Sequence, residues 1–146
     1  MTWFWQRLGG HGRVMLKFAL KLDGVASFTM GVLALALRPE IGLPMPWLVG
    51  VGIFFVAYGV GVFSLGMRSV PDRRMVLLVI IGNTVWGVDS VLTAELKWFP
   101  LTDAGVGLVL MQALAVFVFA ALQFAGLRRA GSVSDRGTRP RSRSLA

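Results

Sequence analysis

The chain has 146 residues, 55% of them apolar, with a formal charge of +8, no cysteine and a single histidine, His11. Without cysteine there is no disulfide exchange, no thiolate metal ligand and no cysteine nucleophile. One histidine, set among Gly9, Gly10 and Gly12, excludes a bis-histidine haem and leaves a histidine metal site without a second imidazole.

Residues 1–13 carry Trp3, Phe4 and Trp5 beside Arg7 and Arg13. Amphipathic rings prefer the headgroup level, so this stretch is predicted to be a cytoplasmic interfacial segment, with a short helix lying on the inner leaflet. Four apolar runs follow, at about 14–37, 46–67, 75–94 and 104–127. At 1.5 Å per residue each has the roughly 20 residues that a hydrocarbon core of about 30 Å requires. Lys17, Lys21 and Asp23 interrupt the first run and no A-x-A site follows, so it is expected to be retained rather than cleaved as a signal peptide.

In the first run Asp23, Gly24, Ser27 and Gly31 share a face. In the second, Gly50, Ala57, Gly61 and Ser64 recur at seven, four and three residues, a small-residue seam expected to allow close packing. In the third, Gly82, Asn83, Trp86, Gly87, Asp89 and Ser90 fall within roughly 160° of one another and are expected to face protein. Ile81, Val85, Val88 and Leu92 are left to face lipid. In the fourth, Gly105, Gln112 and Gln123 share a stripe, because eleven residues is close to three turns. Trp47 and Trp98 flank the first and third connections as anchors. Residues 128–146, rich in Ser, Gly and Arg and lacking apolar period, are predicted to form a basic disordered cytoplasmic tail.

Positive charge alternates along this order. Arg7, Arg13, Lys17 and Lys21, then Arg68, Arg73 and Arg74, then Arg128, Arg129, Arg136, Arg139, Arg141 and Arg143 fall on one side. Only Arg38 and Lys97 fall on the other. Basic loops mark the cytoplasmic side, so both termini are expected there. The net charge would suggest nucleic acid in a soluble protein, but orientation accounts for it and no nucleic-acid partner is expected. The tail arginines are expected to lie on anionic lipid headgroups, at about 1 kcal/mol each.

Ionisable groups within a membrane usually face the bundle interior and are the first place to seek function. Residue depth predicts two polar clusters: an inner one of Asp23, Tyr58 and Asn83, and an outer one of Trp86, Asp89 and Gln112. These six form the candidate network, either as hydrogen-bonded glue between helices or as a proton path, with Asp89 the stronger functional candidate. No Gly-x-Ser-x-Gly elbow, phosphate loop or zinc-helix motif is present.

Trp47–Gly52 and Thr102–Gly107 each open a helix after a Leu-Pro or Phe-Pro turn, which hints at a duplicated hairpin. With Lys21-Leu-Asp-Gly-Val-Ala-Ser27, Gly82-Asn-Thr-Val-Trp86 and Leu122-Gln-Phe-Ala-Gly-Leu-Arg-Arg129, the chain resembles small four-helix integral membrane proteins of GC-rich bacteria, a group that implies no activity. Size and helix number are also similar to small multidrug-resistance transporters, which depend on a glutamate in their first helix; here the acid in that helix is Asp23. Membrane glutathione-transferase relatives share the helix number, but their charged glutathione-binding motifs are missing.

The expectation is therefore an all-α, transmembrane four-helix up-down bundle in a bacterial inner membrane. A structural or accessory role without catalysis, cofactor or metal is expected. The alternative is a small proton-coupled transporter or proton conduit using Asp89, Asp23 or both. Expected partners are the bilayer and either a second copy of the chain or another membrane protein.

Overall fold

The computed structural model describes residues 2–36 and 42–134, with side chains for 11–36 and 42–131. These residues form four helices, α1 (Thr2–Ala36), α2 (Met45–Met67), α3 (Arg73–Glu95) and α4 (Asp103–Ser134), with no strand among them.

Local chemistry sets several of the ends. Asp72 caps α3, its carboxylate accepting from the backbone N–H groups of Arg74 at 2.8 Å and Met75 at 3.2 Å. Leu96 closes α3, and Lys97 beyond it takes the left-handed conformation (φ 51°) that ends many helices. Pro46 lies in the first turn of α2, where its missing N–H costs nothing. Thr102 accepts from the Gly105 N–H at 3.0 Å where α4 begins.

Two helices outrun the predicted spans. α1 begins at Thr2 and continues through Gly9, Gly10 and Gly12, and α4 continues past Arg128 and Arg129 to Ser134. The first seven residues of the expected disordered tail are thus helical, while 135–146 lie outside the described residues. Packing between α1 and α4 accounts for the extension from Gly12 onward in α1 and as far as Ala130 in α4. A Cβ on Gly126 would lie 3.0 Å from the Leu16 backbone, and one on Gly12 would lie 2.9 Å from the Ala130 nitrogen. Glycines that weaken an isolated helix here let two helices touch, and tertiary contact outweighs propensity.

Packing runs α2 on α1, α1 on α4 and α4 on α3, while α2 and α3 meet at few points. The α1–α2 contact is a glycine seam. A Cβ on Gly24 would fall 2.8 Å from the Gly59 carbonyl oxygen, one on Gly31 2.7 Å from that of Gly52, and one on Gly66 3.1 Å from the Lys21 nitrogen. Glycine at Gly52, Gly59 and Gly66 therefore permits backbone approach. The seam expected on Gly50, Ala57, Gly61 and Ser64 is instead exposed, with nothing within 4 Å of a Cβ on Gly50 or Gly61. Both sets have helical spacing, and the sequence alone does not say which one meets α1.

All four helices are long and apolar enough to cross a membrane. Their outward surface is apolar too, with Val14, Phe18, Ile53, Phe54, Leu78, Val85, Met111 and Leu114 each more than half exposed. The bilayer is the matching solvent for such a surface.

Candidate functional site

Interior packing divides into layers. One apolar cluster holds Leu16, Leu20, Val62, Leu65, Val76, Val79 and Leu127. A second holds Ala34 and Leu48, with Leu43, Leu101 and Leu108 against them. Between these clusters along the helices lie Asp23, Ser27, Tyr58, Asn83 and Gln123.

These five side chains form one hydrogen-bonded knot to which every helix contributes. Asn83 Nδ2 of α3 and Gln123 Nε2 of α4 each donate to Asp23 Oδ2 of α1 at 2.7 Å. Ser27 Oγ, one turn along α1, donates to Asp23 Oδ1 at 3.2 Å. Tyr58 of α2 donates its phenol to Asn83 Oδ1 at 3.0 Å, and Asn83 Nδ2 reaches Gln123 Oε1 at 3.5 Å. Asp23 and Gln123 are 0% exposed, Asn83 3% and Ser27 6%. The carboxylate thus accepts three hydrogen bonds from neutral donors, and a buried polar group so satisfied avoids the heavy cost of one left alone in lipid.

The structure joins Asp23, Tyr58 and Asn83, as their depths predict, and adds Ser27 and Gln123. The sequence puts Gln123 on a polar stripe with Gln112 but does not assign it to this level. Its signal was available: α4 offers a second amide eleven residues from Gln112, and only the helix register decides which of the two meets Asp23.

The expected outer cluster does not assemble. Taking the bonded Asn83 and Gln123 as one level, Asp89 lies six residues along α3, about 9 Å away axially. Gln112 lies eleven residues along α4, about 16 Å away in the same sense, so the two are offset by about 7 Å. Asp89 is exposed on the surface of α3, as is Gly82, so the protein-facing side of α3 is narrower than expected. Asn83, Gly87 and Ser90 are buried, and Ile81, Val85, Val88 and Leu92 face outward.

Trp86 packs by its ring. It stacks on Phe54 at 5.9 Å and meets Phe55 edge-on at 4.8 Å, which bridges α3 to α2 where their backbones stand apart. Its indole Nε1 and the Gln112 Nε2 are buried without a hydrogen-bond partner. A cleft of about 300 Å³ opens beside this bridge, lined by Trp47, Gly50, Phe54 and Trp86.

Among the described residues no three His, Cys, Asp or Glu side chains lie together as a metal site would require. Asp23 is surrounded by N–H and O–H donors, so both of its oxygens are already engaged by protein groups. Comparison with protein-family models, curated proteins and solved structures found no match.

Proposed function

We propose that this chain is a small polytopic protein of a bacterial inner membrane with a structural or accessory role and no catalysis. The observation that carries this reading is the state of Asp23. It is 0% exposed, accepts from three donors with both oxygens engaged, and lies between two apolar clusters along the bundle. A proton path requires a carboxyl that water can reach and that can exchange partners; a closed knot favours the role of a strut that fixes four helices in one register.

An up-down arrangement with both termini cytoplasmic belongs to the same proposal. Contacts that ascend α1 through Leu20, Gly24 and Gly31 descend α2 through Gly66, Gly59 and Gly52, which supports opposite directions for this pair. The thirteen basic residues on one side of the spans support the orientation. The arginines of the tail then face anionic headgroups, and the protein acts by associating with a second copy or with another membrane protein.

Proton flux into liposomes containing the purified protein, under an imposed gradient, tests the reading. No flux above protein-free liposomes is expected from the wild type or from Asp89→Asn. A flux in the wild type that Asp89→Asn abolishes would replace the structural role with the conduit.

A further inference from the structure

A cavity of about 530 Å³ opens at the connection between α3 and α4, two helices long and apolar enough to cross a membrane. Lys97 and Asp103 both line it, with Trp98 and Phe99 between them in the chain. Ala94 in the last turn of α3 and Val106 in the first turn of α4 are half-buried and extend the lining toward the apolar bundle. The connection is held in place. Leu101 donates its N–H to the Phe99 carbonyl at 2.8 Å, and the Phe99 ring stands 5.6 Å from that of Trp47 in α2.

The two charges are the informative feature. Lys97 follows the C-terminus of α3 and Asp103 opens α4, so each complements the dipole of its own helix. That accounts for the sign of each charge. It does not account for two exposed, opposite charges lining one cavity, with neither in an ion pair among the described residues. Lys97 is also held at φ 51°, the left-handed position that glycine usually fills beyond a helix end. A lysine kept there at a cost in backbone strain points to a use for its side chain.

We propose that this cavity binds the headgroup of a zwitterionic phospholipid, with Lys97 holding the phosphate and Asp103 the ammonium group. This rests on the reading that α3 and α4 span the membrane. A lipid is the source because the cavity lies where these helices leave the hydrocarbon, at the level of the bilayer's own phosphate and ammonium groups. Trp98, 55% exposed, is an amphipathic ring suited to that level. Ammonium ions are attracted to the faces of aromatic rings as well as to carboxylates, so Trp98 and Phe99 suit the same ligand. Beyond Ala94 and Val106, the apolar outer surfaces of α3 and α4 receive the acyl chains.

Lipid retention tests the proposal. The full chain is reconstituted in nanodiscs of equal parts phosphatidylethanolamine and phosphatidylglycerol, extracted into detergent, and its bound lipids are counted by native mass spectrometry. Retained phosphatidylethanolamine is expected to fall about threefold for Asp103→Asn and for Lys97→Gln, the size of a solvent-accessible charge pair. Asp103→Asn is expected to leave retained phosphatidylglycerol unchanged, since that lipid has the phosphate without the ammonium. Glu95→Gln is the control, an exposed carboxylate that does not line the cavity, and is expected to change neither. Equal retention by the wild type and both variants, or the same loss from Glu95→Gln, would overturn the proposal. Displacement of the lipid by an equal concentration of soluble glycerophosphoethanolamine would overturn the lipid in favour of a free zwitterion. Release of the protein from membranes by alkaline wash is a separate result, which would overturn the membrane placement of the helices.

Discussion

Asn83 donates to Asp23 across 2.7 Å, a hydrogen bond that ties α3 to α1 over sixty residues of chain. The same Asp23 oxygen accepts from Gln123 at 2.7 Å, so one atom of α1 holds two other helices. Register within the bundle follows from this shared acceptor.

Replacing Asp23 separates its hydrogen bonding from its charge. Asp23→Ala leaves the amides of Asn83 and Gln123 without an acceptor and is expected to destabilise the bundle by about 1–3 kcal/mol. Asp23→Asn is expected to cost much less. Its amide oxygen replaces Oδ2 as the double acceptor, and its NH₂ faces the Ser27 hydroxyl, which accepts as well as donates. Thermal unfolding in detergent checks the order; equal losses for the two variants would assign the charge itself a role.

The glycine seam makes a second prediction. Gly59→Ala places a Cβ 2.6 Å from the Gly24 oxygen and the Phe28 nitrogen, backbone atoms that cannot rotate away. Separation of α1 from α2 and a loss of about 1–3 kcal/mol are expected. Gly61→Ala, two residues on, meets nothing within 4 Å and is expected to be neutral or to stabilise α2 through helix propensity. The pair of melting temperatures decides between seam and spacer.

Gln112 is half-buried, and its Nε2, shielded from solvent, has no hydrogen-bond partner. Gln112→Met keeps the length of the side chain and removes the orphan donor, so it is expected to raise stability by about 1 kcal/mol. A marked loss would show that the amide is satisfied by a group bound in the assembled protein.

Orientation is checked by cysteine labelling of intact cells. Lys97→Cys, between α3 and α4, is expected to react with a membrane-impermeant maleimide, and Ser69→Cys, between α2 and α3, only after the membrane is opened. Both positions are exposed, so accessibility depends on the side of the membrane alone. The reverse pattern would invert the orientation drawn from the arginines.

Helix number and approximate span were legible because crossing a bilayer is a one-dimensional requirement, apolar length against a rise of 1.5 Å per residue. The inner cluster was legible too: Asp23, Tyr58 and Asn83 are polar groups at one depth, and lipid forces such groups to find each other. The outer cluster failed on rotation and register. Asp89 and Gln112 lie on different levels, and Asp89 turns outward.

By itself, then, the sequence determined four apolar helices, their unequal distribution of basic charge, and a set of buried polar groups that needed partners. Tertiary structure decided which glycines face α1, that Gln123 rather than Gln112 meets Asp23, and that Asp89 is left on the surface. The physical reason is a lack of contrast. In water the inward face of a helix is apolar and the outward face polar, but in lipid both are apolar. Only backbone approach at glycine and hydrogen bonds between helices distinguish inside from outside, and these exist once the helices have packed.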